Sequence, residues 1–232
     1  MIEINKIHQG DCRILLKDIP DNSVDFILTD PPYNVGLDYE THDDHIENYE
    51  EWCYEWINHL NRVLKEGHYC IIASGDTHIG CVLNAIKRSG LNFWHFIKWY
   101  RPGSQRAYPG TVFFNKVENW ALCTKGKPDL KNINRKIMSQ DIIIMENLNI
   151  NVPQDGYLFD HPAKRPTKLY IKVIEGFTHP GDIVLDCFMG SGTTAIACQL
   201  TGRKFIGIEI NQNYVNIGNN RLCQKPLFNY KV

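Results

Sequence analysis

The sequence contains no cysteine arrangement that would bind a structural metal. Its eight cysteines include no Cys-x-x-Cys pair, and none lies near a histidine at zinc-finger spacing. Cysteines scattered singly in this way are typical of reduced residues that pack in a core. We therefore expect reduced packing cysteines, and no metal in the protein.

The sequence also lacks long apolar runs and an export signal. No window approaches the roughly 18 apolar residues of a membrane-spanning helix. The first residues, MIEINKIHQGD, do not form a basic start followed by an apolar core. With 43% hydrophobic and 22% charged residues, the 232-residue chain is typical of one globular domain. We expect a cytoplasmic location and no membrane partner.

The net charge of -1 conceals a regional separation of charge. Residues 38–55 contain eight acidic residues and no lysine or arginine, whereas residues 98–136 contain nine basic and two acidic residues. A basic segment with interspersed aromatic residues is typical of a surface that binds a phosphate backbone. A solvated basic face would give the same pattern, so charge alone leaves both interpretations open.

Apolar patterns predict an α/β fold of one domain, residues 1–232, with a mostly parallel sheet. The predicted strands are residues 2–8, 24–29, 69–74, 92–100, 117–125, 182–186 and 205–209. The predicted helices follow Asp11, cover residues 48–65 with a stop at Gly67, follow the prolines near residue 166, and cover residues 193–201. Residues 126–160 are rich in asparagine and lack regular periodicity, so we expect a small inserted module there.

The segment TDPPYN, residues 29–34, follows the predicted strand VDFIL and combines an acid, two prolines and an aromatic ring. An exocyclic amino group is a poor nucleophile because its lone pair is delocalised into the base. Asp30 and the carbonyl of Pro31 could accept both amino hydrogens and localise that lone pair. Pro32 adds no competing N–H, and Tyr33 could stack on a base swung out of the duplex. By itself the segment could also mark only a strand that stops at two prolines.

The segment CFMGSGTT, residues 187–194, lies between a predicted strand and a predicted helix. Gly190 and Gly192 allow a positive φ and a close approach of a ligand to the backbone. No lysine follows the second glycine, which disfavours a phosphate-binding P-loop. Glu209 ends the next predicted strand, 19 residues after Gly190, where an acid can accept both hydroxyls of a ribose. The pattern favours an adenosine ligand, although a tight turn with an incidental acid would look similar.

Together, TDPPYN and the downstream FMGSGTT make the chain resemble the β group of amino-group DNA methyltransferases, such as the type II modification methylases. The resemblance extends from Gly10-Asp11 through RVLKEG and HPAKRPTKL to GIEIN, but not to residues 126–160, where the family carries its target-recognition element. It implies a Rossmann-like class I methyltransferase fold with an antiparallel edge, permuted so that the catalytic half comes first and the cofactor half last. It also implies S-adenosylmethionine as cofactor and duplex DNA as substrate.

The resemblance assigns roles to individual residues. The catalytic residues would be Asp30, Pro31, Pro32 and Tyr33. The cofactor-binding residues would be Asp11, Asp30, His161, Lys164, Thr167, Asp186, Phe188, Gly190, Ser191, Gly192, Thr193, Glu209 and Asn211, with Cys12 next to Asp11. From the charge distribution, the DNA-binding residues would be Arg101, Arg106, Lys116 and Lys127.

Three interpretations of the activity remain open at this point. Adenine-N6 methylation is favoured because Asp precedes Pro-Pro-Tyr; cytosine-N4 methylation is chemically almost identical. A DNA-binding subunit that needs a partner chain is the third, because about 35 residues offer little surface for specific recognition. A homodimer would also enlarge that surface, and a cognate restriction endonuclease is a further candidate partner. No Pro-Cys pair occurs, which excludes the nucleophile of cytosine-C5 methyltransferases.

Overall fold

The computed structural model describes residues 2–35, 38–39, 42–43, 45–101, 116–144 and 165–224. The strands in these residues are β1 Lys6–Gln9, β2 Val24–Thr29, β3 Asp38–Tyr39, β4 His42–Asp43, β5 Leu64–Ser74, β6 Asn92–Tyr100, β7 Val117–Thr124, β8 Ile142–Ile144, β9 Ile183–Asp186 and β10 Lys204–Glu209. The α-helices are α1 Cys12–Leu15, α2 Tyr49–Val63, α3 Ile79–Ser89, α4 Thr167–Phe177, α5 Thr193–Thr201 and α6 Gln212–Cys223. Short 3-10 turns cover Leu16–Asp18, Asp76–His78 and Leu130–Asn132.

Eight of the described strands form one sheet in the order β1-β10-β9-β2-β5-β7-β6-β8, and β3 pairs with β4 in a separate hairpin. The strands from β1 to β5 in this order are parallel, β7 is antiparallel to both β5 and β6, and β8 is parallel to β6. The predicted mostly parallel sheet with an antiparallel region is confirmed. The opening strand joins the C-terminal half of the chain through its pairing with β10.

The sheet separates two apolar layers. Successive side chains of a strand point to opposite faces, so Tyr69 and Ile71 of β5 enter one layer and Cys70 and Ile72 the other. The first layer contains α4 and α5, and the second contains α2 and α3. All six residues of β2 are buried, as expected for a central parallel strand covered on both sides.

Two predicted boundaries were wrong. The helix predicted to stop at Gly67 ends at Val63, and β5 begins at once because Leu64 takes extended dihedrals and pairs with Val24. Gly67 lies inside that strand with φ +75°. The first strand begins at Lys6 rather than at residue 2.

The region predicted as an insertion contributes a strand to the main sheet. Its apolar cluster DIIIM includes β8, which pairs with the outer strand β6 from Lys98↔Ile142 to Tyr100↔Ile144. Residues 145–160 lie outside the described residues. The insertion and its role in recognition stay predictions.

Within the described residues, no helix is both long enough and apolar enough to cross a membrane.

A pair of identical substitutions tests the two-layer core. Leu60 on α2 is fully buried, whereas Leu130 is 46% exposed. We expect Leu60→Ala to lower the free energy of unfolding by about 2–5 kcal/mol, because it leaves a cavity in a close-packed layer. Leu130→Ala should change it by no more than about 0.5 kcal/mol. Equal losses in urea unfolding would contradict this description of the core.

Candidate active site

The two sequence motifs meet at one edge of the sheet. Strands β2 and β9 are parallel neighbours, paired at Phe26↔Val184 and Ile27↔Leu185, so the segments that follow them lie side by side. The Thr29 hydroxyl donates to Asp186 Oδ1 at 3.1 Å and accepts from the Cys187 N–H at 3.2 Å. We call this side of the sheet, where β2, β9 and β10 end, the carboxyl edge.

The glycine turn after β9 has the strained backbone that its sequence predicts. Gly190 and Gly192 have φ +52° and +87°, conformations that residues with a side chain rarely adopt. A Cβ atom on Gly192 would lie 3.0 Å from the Cα of Gly218 on α6, so the close packing of the turn also requires glycine.

Helix α6 contacts the glycine turn and holds it in place through Arg221. Arg221 is 2% exposed and donates from Nη1 to the carbonyl of Ser191 at 2.6 Å and to its hydroxyl at 3.3 Å. The same atom lies 3.5 Å from Thr193 Oγ1. Ser191 and Thr193, both predicted cofactor residues, are therefore buried in the support of the turn.

Glu209 lies where the prediction required an acid, at the end of β10 beside the turn. Its Oε2 accepts the Gly190 N–H and its Oε1 accepts the Asn211 N–H, both at 2.8 Å. Asn211 in turn caps α6 by accepting the N–H of Asn213. The carboxylate is thereby fixed at the head of the glycine turn.

Asp11 belongs to the same edge because β1 pairs with β10 and ends opposite Glu209. Its carboxylate caps α1 through the Arg13 N–H at 2.9 Å and forms an ion pair with the Arg13 guanidinium at 2.6 Å. Cys12 is 5% exposed, and burial raises the pKa of its thiol to about 12. The thiol is therefore neutral and unreactive at physiological pH.

Phe188 supplies an aromatic wall beside these polar groups. Its ring centroid lies 5.6 Å from that of Trp52 and 5.1 Å from that of Trp56, so α2 holds the ring in place. The aromatic ring can pack on the base of a nucleoside, and the fixed carboxylate can accept from its ribose hydroxyls. The glycine turn lets the nucleoside approach the backbone closely. The described residues thus fit the adenosine part of S-adenosylmethionine.

Asp186 is buried under the turn rather than exposed to a ligand. It is 2% exposed and accepts hydrogen bonds from the Thr29 hydroxyl, the Phe188 N–H and the Thr194 hydroxyl. Burial raises the pKa of this carboxyl to about 7, against the opposing effect of these three donors. Its contacts connect β2, the glycine turn and α5.

Asp30 lies in a cluster of charged groups that the sequence did not predict. Arg165 binds it with two prongs, Nε to Oδ2 at 2.6 Å and Nη2 to Oδ1 at 3.0 Å. The third nitrogen, Nη1, donates to Glu118 Oε2 at 2.7 Å. The Tyr33 hydroxyl donates toward Asp30 Oδ1 at 2.7 Å and lies 3.1 Å from Glu118 Oε1.

The rest of the Asp-Pro-Pro-Tyr segment is held by its neighbours. The Tyr49 hydroxyl donates to the Pro32 carbonyl at 2.7 Å, whereas no described residue donates to the carbonyl of Pro31. The Tyr33 ring packs on Gly75 at the end of β5, where a Cβ atom would come within 3.0 Å of the ring. Pro31 is buried and Tyr33 half-buried.

The segment HPAKRPTKL is described only from Arg165 onward, so the predicted residues His161 and Lys164 lie outside the described residues. Thr167 begins α4 and is 2% exposed. Arg165, between Lys164 and Thr167 in the sequence, is the described residue of this segment that binds Asp30.

The structure separates the predicted DNA-binding cations. Arg101 follows β6 and Lys116 precedes β7 near the carboxyl edge, joined by the Arg101 N–H and the Lys116 carbonyl at 2.7 Å. Lys127 follows β7, which runs antiparallel to β5, and lies near Gly67 at the opposite edge. Arg106 lies outside the described residues. The whole length of β7 therefore lies between Lys127 and the other two described cations.

Comparison with known proteins identifies the family. Residues 24–220 match the N6/N4 methyltransferase family, described as DNA methylase. The chain belongs to this family. It is 32% identical to the type II methyltransferase M.HpaI of Haemophilus parainfluenzae, over 89% of this chain and 70% of that protein. It is 30% identical to the type II methyltransferase M1.MboII of Moraxella bovis, over 94% and 96% of the two chains.

Solved structures agree with the fold and the cofactor. The structure of the M1.HpyAVI–SAM complex matches with a TM-score of 0.68 and 25% identity, over 95% of this chain and 100% of that one. The PvuII DNA methyltransferase, named as cytosine-N4-specific, matches with a TM-score of 0.77 over 99% and 90%. At 21% identity this second likeness shows the fold alone. The Rossmann-like methyltransferase fold and S-adenosylmethionine as the cofactor of this DNA methylase family are confirmed; the permutation of its halves stays a prediction.

Two groups of the candidate active site were not predicted from the sequence. Arg165 lies inside the segment HPAKRPTKL, in which the resemblance predicted His161, Lys164 and Thr167 as cofactor-binding residues. Glu118 stands in the apolar strand VENWALCT, two residues before Trp120 and so on the same face of β7. An acid on the buried face of a strand was the available signal, because such a charge requires a partner.

The buried carboxyl of Asp186 makes stability depend on pH. Its pKa is raised from 3.8 to about 7, so the folded state holds a proton more tightly than the unfolded state between these values. Stability is therefore lost as pH rises through this range. Asp186→Asn keeps an acceptor and cannot ionise. The difference in unfolding free energy between variant and parent should therefore shift in favour of the variant as the pH is raised from 4 to 7.5. Urea unfolding at both pH values measures this difference, and a difference independent of pH would contradict it.

Proposed function

We propose that this DNA methyltransferase transfers a methyl group from S-adenosylmethionine to the exocyclic N6 amino group of adenine in a specific duplex DNA sequence. The observation that carries the proposal is the side-by-side position of Asp30 and the glycine turn, held by the pairing of β2 with β9. A methyl acceptor at Asp30 and a cofactor on the turn would then be neighbours. Direct transfer requires the methyl donor and the acceptor nitrogen to lie next to each other, and this arrangement would place them so.

The residues of the segment have separate roles in the transfer. When bound, S-adenosylmethionine supplies an electrophilic methyl group. Asp30 would accept one hydrogen of the amino group and the carbonyl of Pro31 the other, so that the nitrogen lone pair is localised toward the methyl group. The new N–C bond would form as the bond from methyl to sulfur breaks, leaving a neutral thioether, and the nitrogen would release one of its two hydrogens as a proton. The lack of a described donor to Pro31, against the occupied carbonyl of Pro32, supports this assignment.

The cofactor would lie along the carboxyl edge. Phe188 provides the apolar wall for its adenine, Glu209 accepts from its ribose, and Gly190 and Gly192 let it approach the backbone. Asp11 follows β1, which pairs with β10 opposite Glu209, and from there it would contact the adenine. Asp186, Ser191 and Thr193 support the turn, because Asp186 accepts the Phe188 N–H and Arg221 donates to Ser191 and lies 3.5 Å from Thr193 Oγ1.

The choice of adenine over cytosine rests on Asp at the first position of Asp-Pro-Pro-Tyr. Both bases present an exocyclic amino group with two hydrogens, so the same acceptors serve cytosine-N4 methylation, which is the second candidate. Recognition of the sequence is assigned to residues 126–160. The type II names of the relatives support a place in restriction and modification. A cognate endonuclease and a homodimer belong to this proposal.

Substitution of Asp30 tests the catalytic role. Asp30→Asn puts an N–H donor where an acceptor is needed, so methyl transfer should fall by about a hundredfold or more. Asp182→Asn, at the opposite edge of the sheet, is the matched control and should retain activity. The assay uses labelled S-adenosylmethionine and mixed-sequence duplex DNA, followed by nucleoside mass spectrometry. Full turnover by Asp30→Asn would overturn the mechanism.

The methylated nucleoside in that assay tests the base assignment. We expect N6-methyladenine from the parent protein. N4-methylcytosine would replace adenine by the second candidate and keep the mechanism. No methylated product from the parent protein would instead favour a subunit that depends on a partner chain.

Neutral substitutions test the side from which DNA enters. Arg101 and Lys116 lie near the carboxyl edge, so Arg101→Gln and Lys116→Gln should each reduce the slope of log K against log salt by about 0.9. Lys127→Gln, at the opposite edge, should leave the slope unchanged. Fluorescence anisotropy with duplex DNA at several salt concentrations measures all three. An equal reduction by Lys127→Gln would contradict entry from the carboxyl edge.

A further inference from the structure

Two carboxylates of the active site contact one hydroxyl group. The Tyr33 oxygen lies 2.7 Å from Asp30 Oδ1 and 3.1 Å from Glu118 Oε1. A phenol carries one hydrogen and can donate it to only one carboxylate at a time. Asp30 and Glu118 are therefore close neighbours that a single donor cannot satisfy together.

The surroundings make this closeness costly for two negative charges. The side chains of Asp30 and Glu118 are 18% and 9% exposed, so little water screens them from each other. Two carboxylates that share such a site tend to hold one proton between them. A proton on Asp30 would turn it from an acceptor into a donor facing the amino hydrogens of a base.

Arg165 is placed to prevent this sharing. Its side chain is 15% exposed, pairs with both carboxylates and also donates from Nη2 to the Tyr33 hydroxyl at 2.9 Å. The planar guanidinium cannot lose its proton at any ordinary pH. One permanent cation thus lies between two anions and the phenol that connects them.

The other charged and polar groups around the cluster come from four elements. Trp120 on β7 donates from Nε1 to Glu118 Oε1 at 2.8 Å, and Arg101 after β6 adds positive charge near Glu118. Tyr170 on α4 is close enough to Asp30 and Arg165, and Asp186 of β9 is close enough to Asp30, for their charges to interact. Burial raises the pKa of Glu118, but the charge of Arg165 and the hydrogen bonds from Arg165 and Trp120 outweigh it and hold that pKa below its usual range.

Arg165 leaves room for the base at Asp30. A carboxylate can accept about four hydrogen bonds, and the described residues donate three to Asp30, two at Oδ1 and one at Oδ2. An amino hydrogen can therefore approach Oδ2 while the ion pair stays intact.

We propose that Arg165 is a positioning residue that keeps Asp30 ionised in the presence of Glu118, so that Asp30 can accept a hydrogen from the target base. This inference rests on the proposed function. It assigns a positioning role to Arg165 and Glu118, neither of which touches the reacting atoms. It also separates two effects of Arg165, its charge and its fork geometry.

The test is a pH profile of the single-turnover methylation rate for Arg165→Met, Glu118→Gln and the double variant, with cofactor and DNA saturating. In Arg165→Met the acid limb should move up by about one pH unit or more, a tenfold lower rate on that limb, because a proton shared by the two carboxylates must first leave. The double variant removes the second carboxylate, so its acid limb should return toward that of the parent. Glu118→Gln alone keeps the ion pair with Asp30 and should not move its limb upward.

Arg165→Lys separates charge from geometry. It keeps the cation but loses the fork, so its maximal rate should fall while its acid limb stays near that of the parent. Thermal unfolding verifies that each variant is folded, and Arg165→Lys serves if Arg165→Met is not. The proposal would be overturned if the acid limb of Arg165→Met did not move, or if the double variant kept the same shift. If Arg165→Met is unfolded, an acid limb of Arg165→Lys shifted as far as loss of the charge predicts would overturn it.

A second readout is independent of methyl transfer. Side-chain carboxyl carbons labelled with ¹³C report protonation by NMR, with the signals of Asp30 and Glu118 assigned from Asp30→Asn and Glu118→Gln. We expect one of the two signals to titrate at higher pH in Arg165→Met than in the parent, and titration curves that do not differ would contradict the role of Arg165. If the parent protein methylated no DNA, the proposed function would fail while this titration still tested the charge balance.

Discussion

The parallel pairing of β2 with β9 is the constraint on which the active site depends. Parallel strands end at the same edge of a sheet, so neighbouring strands deliver the segments that follow them to one place. Strand β2 delivers Asp30, and β9 delivers the glycine turn. Strand β10, next to β9, adds Glu209 to the same edge. Residues more than 150 positions apart in the sequence thus become contacts without any special loop.

That edge is held together by a buried carboxylate as well as by strand pairing. Asp186 accepts from Thr29 on β2, from the Phe188 N–H in the turn and from Thr194 on α5. A buried polar group is tolerated when its hydrogen bonds are made, and here the three donors come from three different segments. These three hydrogen bonds therefore fix the position of the turn relative to Asp30. The contribution of Asp186 to this edge is thus geometric.

The sequence predicted site residues that are marked by local patterns. It did not predict contacts between residues that are distant in the sequence and are brought together by the fold. Asp30 and Glu209 each follow an apolar run that reads directly as a strand end. Glu118 and Arg165 come together at Asp30 only through the antiparallel course of β7 and the entry into α4, so the local pattern that marks Glu118 as a buried acid does not name its partner. The same reason explains Lys127. It shares a basic segment with Lys116, yet β7 carries the chain between them from one edge of the sheet to the other.

The charge balance of the cluster suits the proposed methyl transfer in a way that either carboxylate alone would not. Asp30, Glu118 and Arg165 together carry two negative charges and one positive charge, all with little exposure to water. An amino nitrogen becomes positively charged as it gains a methyl group, so a site with one net negative charge stabilises the transition state. Two uncompensated carboxylates would supply more negative charge, but they would attract a proton and lose the acceptor that orients the amino group. In the proposed reaction, Arg165 would offset one of the two negative charges and leave Asp30 as the acceptor of the amino hydrogen.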